Sequence, residues 1–170
     1  MKKSLLSLAF GTFALGIAEF GMMGILSDIA ADLHIGIAKA GHLISAYSAG
    51  VAVGAPFLLI LRKLPLRRLM LLLAAVIALG NALVALSPNY GSMLAARFIA
   101  GLPHGAFFGA GAIVCSRLAG PGHGAAAVAV MVGGMTVANV VGVPAATFVS
   151  TALSWRVAFA IVAFFGLAAY

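Results

Sequence analysis

Glu19, Arg97 and His104 are the side chains of this sequence that place titratable chemistry where water is scarce. Glu19 and Arg97 are the two charged residues well inside long apolar runs, and His104 follows Arg97 in the same run. A charge at the centre of a membrane helix costs about 2.5–3.5 kcal/mol on insertion scales, so a residue kept at that depth is a candidate for function. Burial favours the neutral form of a carboxyl and a nearby guanidinium favours the charged form, so moving the two apart would invite a proton onto Glu19. Imidazole titrates in a range suited to passing that proton on, although a lone buried histidine is more often a satisfied core residue. The simpler alternative is a static Glu19–Arg97 ion pair that ties two helices together.

Helical spacing puts Arg97, Gly101, His104 and Phe108 on one face, and Thr12, Gly16, Glu19 and Met23 on another. Those two faces are the expected walls of a cavity. Asn139, in a third apolar run, needs a polar partner, and a helix–helix hydrogen bond is its first expected use, with a place on the cavity wall as the other.

The elements that must hold these residues are membrane spans. The 170 residues are 64% hydrophobic and 8% charged, against roughly 25% charged in soluble domains. Runs long enough to cross a bilayer, about 20 apolar residues each, occupy residues 5–27, 41–61, 67–87, 91–117, 124–148 and 154–170. The short links leave no room for a soluble domain, so the fold class expected is an all-α membrane protein, a bundle of six transmembrane helices. Lys2, Lys3, Arg62, Lys63, Arg67, Arg68 and Arg117 fall on one side, and Lys39 and Arg156 on the other. Basic residues stay cytoplasmic, which puts the N-terminus inside. A cleavable signal peptide over Met1–Ala18 is the rival reading, but the apolar sequence continues through Leu26.

With the first helix running outward, Glu19 lies about 12 Å below its outer end and Arg97 about 10 Å below the same surface. The two charges therefore share a depth. Tyr90 and Trp155 open their spans on the outer side, where interfacial aromatics belong.

Lipid is as apolar as leucine, so membrane helices associate through close contact of small residues. Ala46, Gly50 and Gly54 recur every four residues, as do Gly101, Gly105 and Gly109, and Gly134, Ala138 and Gly142. Pro56, Pro103 and Pro144 each remove a helical hydrogen bond from a span, so kinks are expected there. Cys115 reads as a small core residue. No His, Cys or carboxylate set has metal-ligand spacing, and neither a phosphate loop nor a nucleophile elbow is present. Metal, cofactor, enzymatic and nucleic-acid-binding functions are not expected.

Several motifs together carry a family resemblance over essentially the whole chain. They are Gly11-Thr12-Phe13 with Gly16-Ile17-Ala18-Glu19-Phe20; Gly54-Ala55-Pro56; Arg97-Phe98-Ile99-Ala100-Gly101; Pro103-His104-Gly105-Ala106-Phe107-Phe108-Gly109; Gly134 through Asn139 to Gly142 and Pro144; and Ser154-Trp155-Arg156. In these the chain resembles the N-terminal half of a major facilitator superfamily transporter, of the twelve-span drug:proton antiporter family and its arabinose and sugar efflux type. The resemblance implies a bacterial inner-membrane protein that exports a small-molecule solute, sugar-like or drug-like, in exchange for a proton. It implies that the first and fourth helices line the central cavity, that Arg97 takes part in proton coupling, and that the Gly134–Gly142–Pro144 motif packs against the opposite half during alternating access. The segment Leu61-Arg62-Lys63-Leu64-Pro65-Leu66-Arg67-Arg68 departs from the superfamily pattern in carrying no acid. Six spans also make only half of such a fold. The expectation is a truncated half lacking its C-terminal six helices, or a half that pairs with another half or a second copy; a non-transporting six-helix subunit or inert fragment is the alternative.

Overall fold

In a computed structural model, residues 2–56, 60–61 and 63–169 are described, the side chains of Lys2 and Lys3 excepted. Arg62, residues 57–59 of the second apolar run and Tyr170 lie outside them. Among the described residues the helices are α1 Lys2–Asp32, α2 Ile37–Gly54, α3 Leu66–Ala85, α4 Tyr90–Gly101, α5 Pro103–Ala119, α6 Gly124–Val137, α7 Val143–Ala152 and α8 Trp155–Ala168, with a π-helical segment, Ala138–Gly142, between α6 and α7. These make six rods, because α4 continues into α5 and α6 continues through the π segment into α7. Among the described residues four rods are long and apolar enough to cross a membrane on their own: α1, α3, α4–α5 and α6–α7.

α1 is the central post. It touches α2 on one side, α6, the π segment and α7 on another, and α8 on a third, while α3 lies against α8 and α4. Its 31 residues reach about 46 Å, more than the roughly 30 Å hydrocarbon layer, so its ends project beyond it. α1 ends where His34 adopts a left-handed φ of 52° and the Ile35 N–H reaches back to the Ala30 carbonyl at 2.9 Å, a closure that satisfies the last helical carbonyls. α4 starts from a capping box: Asn89 Oδ1 accepts from the Ser92 N–H at 3.0 Å and Ser92 Oγ accepts from the Asn89 N–H at 3.3 Å.

The two interrupted rods break where proline removes a donor. Pro103 begins α5 after Leu102, so the fourth span is two helices meeting directly above His104. Pro144 sits in the first turn of α7, just after the chain has widened into the π segment. Widening of this kind accommodates a missing helical bond and is frequent at functional sites.

Small residues set the closest helix contacts. A Cβ on Gly101 would strike the Tyr47 carbonyl, one on Gly54 the Leu102 carbonyl, and one on Gly142 the Ile17 side chain at 2.7 Å. Gly134 and Gly133 form a natural experiment. A Cβ on Gly134 would run into the Ala9 carbonyl and Thr12 Oγ1, whereas nothing lies within 4 Å of one on Gly133. Gly134→Ala is expected to cost about 1–3 kcal/mol by overpacking. Gly133→Ala is expected to be neutral or to gain up to about 1 kcal/mol from helix propensity. Parallel denaturation curves in micelles would read both, and equal effects would contradict the packing described.

The end of the bundle where α1 terminates is closed by a polar clasp. Asp32 Oδ2 accepts from Trp155 Nε1 at 3.0 Å and pairs with Arg156, whose guanidinium also reaches the Ser87 carbonyl at 3.3 Å. Asp28 accepts from Ser150 Oγ. Trp155 is only 2% exposed, so it is buried inside this clasp and does not face the interface as its position in the sequence suggested. The reason is its indole N–H, which finds a carboxylate at the end of the protruding α1.

Candidate functional site

Arg97 lies on the bundle side of α4 and is completely buried. Its Nη1 donates to the Ala18 carbonyl of α1 at 2.6 Å and its Nε to the Leu43 carbonyl of α2 at 3.2 Å. The guanidinium carbon stands 4.4 Å from the Tyr47 ring centre and 5.8 Å from that of Phe159. One side chain thus joins three rods, and a planar fork with five donors is the group suited to this. The expected direct Glu19–Arg97 pair is not formed: among the described residues Glu19 has His104, and Asp32 has Arg156, as the basic side chain within 4.0 Å. Equal depth does not fix rotation about the helix axis, and the backbone carbonyls of α1 and α2 lie nearer to Arg97. Its Nη2 is buried without a hydrogen-bond partner.

Glu19 turns instead toward α5. Its Oε2 is 3.7 Å from His104 Nε2, beyond hydrogen-bond length, so a shift of roughly 0.7 Å would close the contact. The carboxyl side chain is 31% exposed and the imidazole 12%. On its other side, His104 Nδ1 is 3.0 Å from the hydroxyl of buried Tyr47, and Phe108 stacks on the imidazole at 5.3 Å. With Glu19 ionised, the arrangement that suits all three groups has Tyr47 donating to Nδ1 and Nε2–H directed toward the carboxylate. Tyr47→Phe is therefore expected to convert His104 from the single Nε2–H tautomer to a mixture. Imidazole nitrogen NMR shifts would show it, and an unchanged tautomer would remove Tyr47 from the site.

The remaining residues divide between buried contacts and an open face. Thr12 is fully buried and donates to the carbonyls of Ala9, at 3.0 Å, and of Met131 on α6. It therefore ties α1 to α6 and does not line a cavity, because the N-terminal half of its helix face is covered by α6. Met23, on the same face two turns past Gly16, is 61% exposed. Asn139 is exposed in the π segment, and its amide donates to Met135 of its own rod at 3.1 Å; the expected helix–helix bond is absent because no neighbouring rod covers that surface. Gly101, Gly134 and Gly142 are buried in contacts, while Pro56 and Pro144 are exposed.

Sequence reasoning missed Tyr47 and Asn81. The signal for Tyr47 was a hydroxyl at mid-span, four residues after Leu43 on the face of α2 that the glycine row also uses. Asn81 is fully buried in α3, donating to the Ile77 carbonyl at 2.8 Å while its Oδ1 has no partner.

The geometry is that of a half-open helical bundle with a carboxyl, an imidazole and a phenol in line at a buried arginine. Comparison with known proteins decides the family: the Major Facilitator Superfamily model matches residues 8–170. The chain belongs to the major facilitator superfamily. It is 50% identical to the transporter AraJ of Escherichia coli (strain K12) over 169 residues, which are 99% of this chain and 43% of that protein. It is 44% identical to the inner membrane transport protein YdhP of the same organism over 156 residues, 91% of this chain and 40% of that one. It is 34% identical to a chloramphenicol resistance protein of Streptomyces lividans over 153 residues, 89% and 39% of the two chains. The chain thus spans about two-fifths of the length of these relatives. An all-helical bundle of six rods is the N-terminal half of this superfamily's fold, and the chain is a multi-pass membrane protein rather than an enzyme.

Proposed function

We propose that this chain is one half of a secondary transporter of the inner membrane, N-terminus in the cytoplasm, that exports a small organic solute in exchange for a proton. The solute is sugar-like or drug-like. The names of AraJ, YdhP and the chloramphenicol resistance protein support transport of this kind, and the excess of basic residues at one end supports the orientation.

The observation that carries the proton reading is Glu19: partly exposed, 3.7 Å from His104, and beside an arginine already engaged elsewhere. With Glu19 ionised, Nε2–H of His104 faces the carboxylate, and the buried charge of Arg97 holds it from behind, anchored to Ala18, the residue next to it. A proton arriving from the open face neutralises the carboxylate, weakens its attraction for the Nε2–H of His104, and frees the α1 and α5 faces to shift. Substrate would then meet Met23, Phe108 and Asn139 on the open side. Pro56 and Pro144 are exposed where α2 and the fifth rod would move against a second half, the partner this reading requires, while Gly54 and Gly142 hold those rods against Leu102 and Ile17 of this half.

Transport by the twelve-helix protein containing this half tests the proposal. In proteoliposomes, adding the exported solute should drive proton movement in the opposite direction. Solute flux with no proton movement would overturn the coupling.

A further inference from the structure

The inner end of the bundle holds a cavity of about 720 Å³ between α1, α3, α5 and α8. It is lined by apolar Leu8, Met70, Leu71 and Val114 together with Arg67, Arg117, Ser4 and Ser7, of which both arginines are exposed. We propose that it binds one anionic phospholipid, its acyl chains on the apolar walls and its phosphate between Arg67 and Arg117.

Three observations converge on an anion with an apolar tail. First, the chain has three acidic residues, Glu19, Asp28 and Asp32, and all belong to the outer half of α1. The basic residues at the inner end, among them Lys63, Arg67, Arg68 and Arg117, have no acidic side chain of these 170 residues at their level. Second, α3 begins at this cavity with no side-chain cap on its first turn. Its free N–H groups and the positive end of its dipole favour a phosphate. Third, the cavity lies where the span ends, so a lipid with its headgroup at the surface would have its chains beside Leu8 and Val114. Basic pockets between helices on the cytoplasmic side are the sites that anionic headgroups occupy. The placement on the cytoplasmic leaflet rests on the orientation proposed above; the binding chemistry does not.

The test is lipid titration of the purified chain by native mass spectrometry, with phosphatidylglycerol, phosphatidylethanolamine and inorganic phosphate as separate probes. It depends on neither transport nor orientation, so its outcome is separate from theirs. One phosphatidylglycerol should be retained per chain in preference to phosphatidylethanolamine, and millimolar inorganic phosphate should not displace it. Each arginine near a charged surface contributes about fivefold to affinity, so Arg67→Gln with Arg117→Gln should weaken binding about thirtyfold. Lys63→Gln with Arg68→Gln, an equal charge change outside the cavity, should not. Equal losses from the two double variants, no preference between the lipids, or displacement by phosphate alone would each overturn the proposal. Helical circular dichroism of both variants keeps misfolding apart from lost binding.

Discussion

Arg97→Ala is expected to lower the unfolding free energy of the chain in micelles by about 3–5 kcal/mol, the largest effect of any single side chain here. Two contributions add. Truncating a completely buried long side chain leaves a cavity, which alone costs about 2–5 kcal/mol for large aliphatic residues. The hydrogen bonds to the Ala18 and Leu43 carbonyls are lost as well, and bonds from a charged donor contribute about 1.5–3 kcal/mol each. The relief of a desolvated charge works in the opposite direction. That relief is several kcal/mol for a buried ion and brings the net loss back to about 3–5 kcal/mol. Arg97→Lys separates the contributions: it keeps the charge and most of the volume, but an ammonium cannot serve α1 and α2 through a planar fork. An intermediate loss of about 1.5–3 kcal/mol is expected, the worth of one charged bond. Denaturant titration of the three forms should give the order wild type, Lys, Ala. A lysine variant as stable as wild type would mean that the bridging geometry is not used.

Glu19→Gln is expected to abolish proton-driven accumulation while leaving the bundle folded. One proton moving inward supplies about 2.3 kcal/mol per 100 mV, enough to hold a gradient of a neutral solute of about fiftyfold. Glutamine matches the size of a protonated glutamate but cannot release a proton, so the ratio should fall to one. Facilitated exchange should persist, since the neutral state is the one proposed to move. Wild-type ratios retained in the variant, measured in proteoliposomes at a fixed potential, would place the proton elsewhere.

Much of this was legible in the residue order, and the reasons for the exceptions are physical. Glu19, Arg97 and His104 stand out because a charge or imidazole in an apolar run is costly wherever the chain folds. The glycine rows were legible because their spacing matches the helical repeat, and Gly134, Ala138 and Gly142 do meet α1. Partner choice was not legible. Helix periodicity shows that Thr12 and Glu19 share a face, but not that α6 covers the one and leaves the other open. Depth along the axis matched Glu19 to Arg97, yet rotation about the axis gave Glu19 to His104 and Arg97 to two backbone carbonyls. Tyr47 escaped notice because a tyrosine carries no charge to make its burial conspicuous. The π segment depends on how Gly142 packs against Ile17 and Phe13, which is a tertiary matter.

The most direct measurement is an infrared pH-difference titration of this chain in lipid bilayers, read at the carbonyl stretch of protonated carboxylic acids. Three acidic side chains in the sequence keep that region simple, and Asp28→Asn with Asp32→Asn removes the two outer ones. Proton uptake by Glu19 predicts a band that grows as pH falls, disappears in Glu19→Gln, and moves its midpoint in His104→Gln. A band that survives Glu19→Gln, or a Glu19 that never takes up a proton across the titration, would contradict it.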